Sequence, residues 1–586
     1  MKLIRQQIPT LFILVFALLC SDRTWAQTQA PLEPAQMPAR TTFYVIWRGT
    51  PAGDARNANA LLALWDDPDL APLRAAALQN MQSSSAKDPS KPQLSREEIE
   101  QTSSLLENSF VLGYLRKPET KGATAKSTDH PWNGIFFIYD RTGKELLLAK
   151  TVLHFRTQEK EPPQVSTITV AGAPALKIAR KDSVNYWTER GKYAVGAADL
   201  SVFEEILARL DGKSAGQSLA QTSAYQEAQP VFHGGLLEFF LRIPQLKDFA
   251  SSLPANSPVK IEPLLDALKL DSIHSLSGHL TLEGAKARMQ GAVLGEVAPG
   301  TLFDVWTASQ EPPASLQFVS PDLVSYNETQ FNLSAFYDLL KRALRVALPQ
   351  QQQGSIEMME GFAATRIGMP VPDALALFGG EFASIQSNPA MDPLKAVYYV
   401  GIRNKPDSLK LLRSVFGEQL GSERNEGDTT FVKVSLGGSQ SSTGVAQWNF
   451  YHLAVTPNFL LASSRSETLR EFLARRSPAN AATQPALPPA FQTARTQFPA
   501  NIAGLAFVNF QKIDYQALKT RWIEEAKKSP DRPSGKSENA VPQSTSTKVP
   551  DWLLNLNPQV FPRHLHYLAG ASWKDTKGIH FDEWLE

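Results

Sequence analysis

The chain has 586 residues, 59 basic against 58 acidic side chains, a formal net charge of +1 and one cysteine. A balanced charge without a basic stripe excludes the polycationic surface by which proteins hold nucleic acid. A chain of this length outgrows a single hydrophobic core, so two or more domains are required.

The first element in chain order is a leader over residues 1–26. Lys2 and Arg5 precede an apolar run from Ile8 to Leu19, interrupted only by Pro9 and Thr10. Thr24-Trp25-Ala26 then offers a cleavage site between Ala26 and Gln27. This is the layout of a signal peptide. The run is about a dozen residues, short of the roughly 20 needed to span a bilayer. Lipidation of Cys20 would need a small residue before it, where Leu19 stands. Cys20 lies inside the leader, so the expected mature chain has no thiol and depends on core burial in place of disulfides. Its expected location is periplasmic or secreted, in a bacterium.

Residues 27–40 read as a flexible N-terminal segment, and 83–94, 117–131, 477–490 and 527–549 as further Pro-, Ala-, Ser- and Lys-rich loops. Phe43, Val45 and Trp47 alternate with Tyr44, Ile46 and Arg48, a strand pattern. Asp67-Pro68 starts a helix expected to run to Gln82, and Ser95 with Glu98 forms a capping box. The stretch 164–198 reads as an antiparallel meander. Val202, Phe203, Ile206, Leu207 and Leu210 mark one face of the helix that follows. Leu237, Phe239 and Leu241 alternate with Glu238, Phe240 and Arg242 in another strand. Residues 296–316 are expected to be a linker, and 428–464 form a second meander.

The chain also resembles itself in order. FYVIWRGT (43–50) begins one half and LVSYNETQFNLSAFYDLL (323–340) the other. GIFFIYDRTGKELLLAKTVL (134–153) matches AVYYVGIRNKPDSLKLLRSVF (396–416), and YAVGAADLSVFEEILARL (193–210) matches FLLASSRSETLREFLARR (459–476). GLLEFFLRIPQL (235–246) matches AGLAFVNFQKIDY (503–515), and IHSLSG (273–278) matches LHYLAG (565–570). The expected fold is α+β in two tandemly duplicated halves, 41–295 and 317–586, each a largely antiparallel sheet with packed helices. The segment 527–549 is an insertion in the second half.

The opening PARTTFYVIWRG to LWDDPDLAPL (38–73), the element Ala374 to Phe382 (ALALFGGEF) and the strand–helix unit at 193–210 resemble a family of exported bacterial proteins known only as a domain of unknown function. The resemblance covers most of the expected mature chain. Its motifs are packing and turn patterns, so it implies extracytoplasmic location and a tandem α+β build, and no activity. Arg40 departs from the acidic residue common after Pro-Ala in that family.

Chemical motifs fare poorly. His564-Leu565-His566 has the spacing of two zinc ligands on one strand face, but no neighbouring residue completes a site. Asp211-Gly212-Lys213-Ser214 lacks the first glycine of a phosphate loop, where Leu207 stands. Ser84-Ser85-Ala86-Lys87 lacks its companion elements, and Gly437-Gly438-Ser439-Gln440-Ser441 is not a nucleophile elbow. Glu381, after Gly379-Gly380, is the carboxylate of most interest. A glycine pair allows close backbone approach, so Glu381 either lines a pocket or simply faces solvent on a turn. Tyr398-Tyr399, Phe136-Phe137 and Phe239-Phe240 place aromatics on both faces of their strands, and a ligand groove is the alternative to plain core.

No catalytic, cofactor or metal residue is therefore assigned. The expectation is a non-enzymatic binding or structural protein of the cell envelope, whose partner is an unidentified envelope or extracellular protein or ligand, with no nucleic acid and no membrane anchor after cleavage. The alternatives are a hydrolase with dispersed catalytic residues and a carrier of an apolar ligand.

Overall fold

Alternation decides the central strands. In β1, Thr41–Arg48, Tyr44 and Ile46 have no solvent exposure while Phe43 and Val45 are half-buried. The side-chain period of two thus turns one face inward. The computed structural model describes residues 30–77, 104–116, 131–146, 163–180, 183–214, 216–229, 235–245, 261–348, 352–435, 450–475, 487–528 and 549–586. The leader with its Ala26–Gln27 cut, the Ser95 capping box, Ser84 to Lys87, Gly437 to Ser441 and most of 527–549 lie outside these residues. Among the described residues no helix is long and apolar enough to cross a membrane.

Two compact units result. Unit 1 comprises residues 1–66, 74–297 and 576–582, and unit 2 comprises 67–73, 298–575 and 583–586. Unit 1 adds β2 (Ser109–Leu115), β3 (Ile135–Asp140), β4 (Gln164–Val170), β5 (Ala173–Ala179), β6 (Val184–Arg190), β7 (Tyr193–Ala197), β8 (Leu237–Arg242), β9 (Ile273–Glu283) and β10 (Lys286–Gly295). Their spatial order is β4-β5-β6-β7-β3-β2-β1-β8-β9-β10, antiparallel throughout. The β4–β5 turn places Ala171 and Gly172 at φ +50° and +78°, the pairing of left-handed residues that suits the twist of a two-residue hairpin.

Unit 2 contains β11 (Ser325–Gln330), β12 (Phe378–Gln386), β13 (Val397–Ile402), β14 (Arg424–Glu426), β15 (Thr429–Ser435), β16 (Phe450–Val455), β17 (Phe459–Ser463), β18 (Ile502–Asn509) and β19 (Tyr567–Lys574). Their order is β14-β15-β16-β17-β13-β12-β11-β18-β19, again antiparallel. It is the order of unit 1 with every strand number raised by ten. The last strand, β20 (Gly578–Leu585), contributes 578–582 to unit 1 and its remainder to unit 2.

Helices close each core. In unit 1, α1 (Leu200–Leu210) buries Val202, Phe203, Ile206 and Leu207 against β3 and β7, and α2 (Ser223–Ala228) buries Tyr225 and Ala228. In unit 2, α3 (Leu333–Ala347) and α4 (Gly354–Ile367) lie between β11 and β12 in the chain. There α5 (Ser466–Arg475) buries Leu469 and Phe472 against β16 and β17, and α6 (Pro489–Thr496) buries Phe491 and Ala494.

Two expectations need correction. The N-terminal segment 27–40 is not loose where it is described: Leu32 and Met37 have no exposure and belong to the unit 1 core, and Leu219 N donates to Met37 O at 2.8 Å. Its Pro-rich composition conceals two apolar anchors. Nor is 296–316 a bare linker. Leu302–Val305 and Ala314–Phe318 are 3₁₀ turns whose Phe303, Val305 and Phe318 are buried in unit 2. The helix expected from Asp67 begins as a 3₁₀ turn, Pro68–Leu70, whose Asp69 N–H the Asp67 side chain accepts at 2.9 Å.

Candidate functional site

The core face of β11 carries Tyr326 and then, two residues on, Glu328. Across the strands Tyr326 lies between Ile385 and Phe507, and Glu328 between Ala383 and Leu505. A carboxyl group therefore sits among apolar neighbours with only 2% exposure. Its Oε1 accepts from Gln330 Nε2 at 2.6 Å, while Oε2 has no hydrogen-bond partner among the described residues. Burial, and then the charge of Glu381, push Glu328 up to about 8.

Glu381 reaches the same face from β12 through its glycines. Gly380 has φ +86°, and a side chain at Gly379 would meet the Gly401 backbone at 3.2 Å. Only glycines permit that bend. Glu381 is 9% exposed, and its two oxygens accept from Ala314 N at 3.0 Å and Ser315 N at 2.8 Å. These are the first amides of a 3₁₀ turn, donors with no partner inside the turn itself. The solvent-facing alternative for Glu381 is thus wrong: the segment expected to be a linker supplies its partners. Ser315 Oγ also shares a 2.7 Å hydrogen bond with Tyr326 OH. Burial foremost, and then Glu328, hold the Tyr326 phenol far above its ordinary value.

Phe491 of α6 stands edge-on to Tyr326 at 5.6 Å and to Phe507 at 5.1 Å. The next turn of α6 borders a pocket of about 430 Å³, lined by Leu487, Arg495, Phe498, Ile502 and Leu505 with a rim at 310–312. Leu505 is the cross-strand neighbour of Glu328, and neither carboxyl group of the pair lines the pocket. A pocket of this size and lining is within the range of small-molecule sites. A second hollow of about 370 Å³, lined by Tyr398, Phe416, Val434, Tyr451, Leu453 and Ala462, has an entirely apolar lining except for its two phenols. The paired aromatics of β13 are divided accordingly: Tyr399 is core, and Tyr398 faces that hollow.

Unit 1 has a carboxylate at the mirror position. Ile46 on β1 lies opposite Glu238 on β8, and Glu238 is 3% exposed. Tyr44 OH donates to Glu238 Oε1 at 2.5 Å, and Arg48 Nη2 donates to Oε2 at 3.3 Å. Arg48 also pairs with Glu33. Burial raises Glu238, and Tyr44 and Arg48 pull it back.

The other sequence candidates separate. His564 ends helix α7 (Val560–His564), with Nε2 2.7 Å from Asp67 Oδ2, and His566 lies beyond the helix, so the two do not share a strand face. Arg563 completes that cluster, with Nη1 2.6 Å from Asp67 and Nη2 2.9 Å from Asp69. No group of three potential metal ligands occurs among the described residues. His274 pairs with Glu227 at 3.2 Å on the surface of unit 1. The Asp211 to Ser214 stretch is a helix end: Gly212 has φ +69°, and Asp211 accepts from Arg190 at 2.5 and 3.0 Å. The buried pairs Glu328–Glu381 and Glu238–Arg48 were missed as sites. Each carboxylate occupies an inward position of an alternating strand, and that was the available signal. No family model, curated protein or solved structure matches this chain.

Proposed function

We propose that this chain is an exported binding protein, built by duplication of one α+β unit, that takes up a small ligand in unit 2 without transforming it. The pocket over Leu505 carries the reading: a half-apolar cavity of about 430 Å³ with one guanidinium in its wall. Export rests on the leader, with Lys2 and Arg5 ahead of an apolar run and a cut after Ala26. The likeness to exported proteins of unknown function points the same way.

Duplication draws support from the common strand order and from register. Tyr44 lies opposite Phe240 as Tyr326 lies opposite Phe507, and Gly278 opposite Phe239 as Gly570 lies opposite Ala506. Ala224-Tyr225-Gln226-Glu227-Ala228 on α2 and Ala490-Phe491-Gln492-Thr493-Ala494 on α6 share a pattern and a ring contact, Tyr225 meeting Phe240 and Phe491 meeting Phe507.

A hydrolase reading has one observation in its favour, the carboxyl pair with Glu328 pushed up to about 8. Split acidities suit an acid–base pair. Against it, neither acid of that pair lines the pocket, and unit 1 holds a comparable buried carboxylate in a core network.

The test is binding of the uncharged fluorophore N-phenyl-1-naphthylamine to the full chain. One saturable site is expected, lost in Leu505→Trp with the circular dichroism unchanged, and retained in Ala462→Trp, which fills the second hollow. Binding indifferent to Leu505→Trp overturns the reading. Ester or glycoside turnover abolished by Glu328→Gln would replace it with the hydrolase.

A further inference from the structure

Arginines in unit 2 that are partly withdrawn from water have something to hold. Arg342 donates to Gly300 O, Arg475 to Phe318 O and Arg521 to Met391 O. Arg495 differs. It lies in the last turn of α6, half-buried in the pocket wall, and its guanidinium makes no ion pair or hydrogen bond among the described residues. Its charge is felt at the Tyr326 phenol, where it opposes in small part the rise that burial causes.

Two further polar groups of the wall, both on α6, are engaged. Gln492 Nε2 donates to Leu487 O at 2.8 Å and Thr496 Oγ1 to Thr493 O at 2.8 Å. The one carboxylate at the rim, Glu311, is exposed and makes no ion pair with Arg495. What remains is a guanidinium with no partner among the described residues, in a wall shared with Phe498, Ile502 and Leu505. Withdrawing a cation from water without a counter-ion is unfavourable. An anion entering the pocket reverses that cost with charge-assisted hydrogen bonds.

We infer that the ligand of this pocket is a small amphipathic acid, its anionic head on Arg495 and its apolar body on Phe498, Ile502 and Leu505. The inference rests on the binding role proposed above and specifies its ligand. Apolar contact alone would accept an alcohol of the same shape as well as the acid, and the guanidinium separates the two.

Decanoate and 1-decanol are therefore compared as competitors of N-phenyl-1-naphthylamine on the full chain at pH 7. Decanoate is expected to displace the fluorophore at a concentration lower by about tenfold or more, the value of a hydrogen bond to a charged group. Arg495→Gln should equalise the two competitors while leaving fluorophore affinity unchanged, which also reports that the variant is folded. Arg495→Lys should restore part of the preference. Glu311→Gln should leave decanoate binding equal or tighter. Equal displacement by acid and alcohol in the unaltered protein overturns the acid reading and leaves the pocket standing; failure of the fluorophore to bind at all removes the pocket reading itself. Weaker decanoate binding in Glu311→Gln would count against an anionic head in this pocket, because removing a like charge beside it can only help such a head.

Discussion

The two units place a carboxylic acid at the same rung of the same strand pair, on opposite strands. In unit 1 the rung is Ile46 with Glu238, and in unit 2 it is Glu328 with Leu505. The surroundings then diverge. Unit 1 supplies a cation two residues along β1, Arg48, and holds its carboxyl group, which burial raises, within a Tyr44–Glu238–Arg48–Glu33 network. Unit 2 has Gln330 two residues along β11, and a second acid, Glu381, on the neighbouring strand. The lesson is that one rung of the sheet tolerates a buried acid in either of two surroundings, beside a cation or beside a neutral amide and a second acid.

The sharpest way to break this comparison is pH. Glu328 moves from an ordinary 4.5 to about 8 on folding. A raised carboxyl favours the folded state below its unfolded value, and that contribution is lost as pH rises from about 4.5 through about 8. The full shift corresponds to up to about 5 kcal/mol. Unit 2 should therefore lose protection between pH 5 and pH 9, read by hydrogen exchange at the β11 and β18 amides relative to β1 and β8. Glu328→Gln should flatten the profile. A profile equally steep in that variant would mean that Glu328 is charged in the folded protein.

Removing the neighbour tests the other setting. Arg48→Met leaves Glu238 buried without its cation, a change that costs about 3–5 kcal/mol in comparable pairs. Gln330→Met removes one hydrogen bond from a protonated acid and should cost about 1 kcal/mol. Urea unfolding combined with strand-resolved exchange distinguishes the two, and equal losses would show that the units handle their acids alike.

The helices behind each meander give a smaller contrast. Leu207 on α1 is 3% exposed, whereas Leu473 on α5 is only partly buried. Leu207→Ala should cost about 2–5 kcal/mol, with Leu473→Ala below it because a surface-touching cavity collapses more easily. Melting curves of the two variants decide this, and a costlier Leu473→Ala would mean that α5 carries more of its core than α1 does.

How far these features were legible follows from sequence distance. The strands and meanders were readable because alternation is local, and so was the inward face of α1. The Gly379-Gly380-Glu381 element was noticed, but its direction was not, since the amides that hold Glu381 are 66 and 67 residues earlier in the chain. Composition misread residues 27–40, because Leu32 and Met37 are the only two large apolar side chains among prolines, alanines and polar residues. The exchanged acids escaped for a different reason. The sequence match sets Gly235 on Ala503, which puts Glu238 on Ala506; the cross-strand neighbours of the two central strands put Glu238 on Leu505. A slip of one residue in a strand moves every side chain to the other face, so the acid and its apolar counterpart were never compared.

The smallest expected effect lies at the start of α1. Asp199 accepts from Ser201 N at 2.8 Å and from Val202 N at 3.4 Å, satisfying amides that the first turn leaves without carbonyl partners. It also accepts from Ser201 Oγ at 2.6 Å. In unit 2 the corresponding helix starts differently: Ser463 Oγ accepts from Arg465 N at a long 3.5 Å, and Ser466 Oγ donates to Glu467. Asp199→Ala should therefore cost about 1 kcal/mol, with Asp199→Asn recovering most of it because an amide oxygen caps as well as a carboxylate does. Ser463→Ala should cost less than Asp199→Ala, since the bond it removes is at the limit of useful length. Exchange of the first amides of α1 and α5 reads both effects locally. If Asp199→Asn is as damaging as Asp199→Ala, the role of Asp199 is electrostatic rather than a cap, and the two helices begin more alike than their side chains suggest.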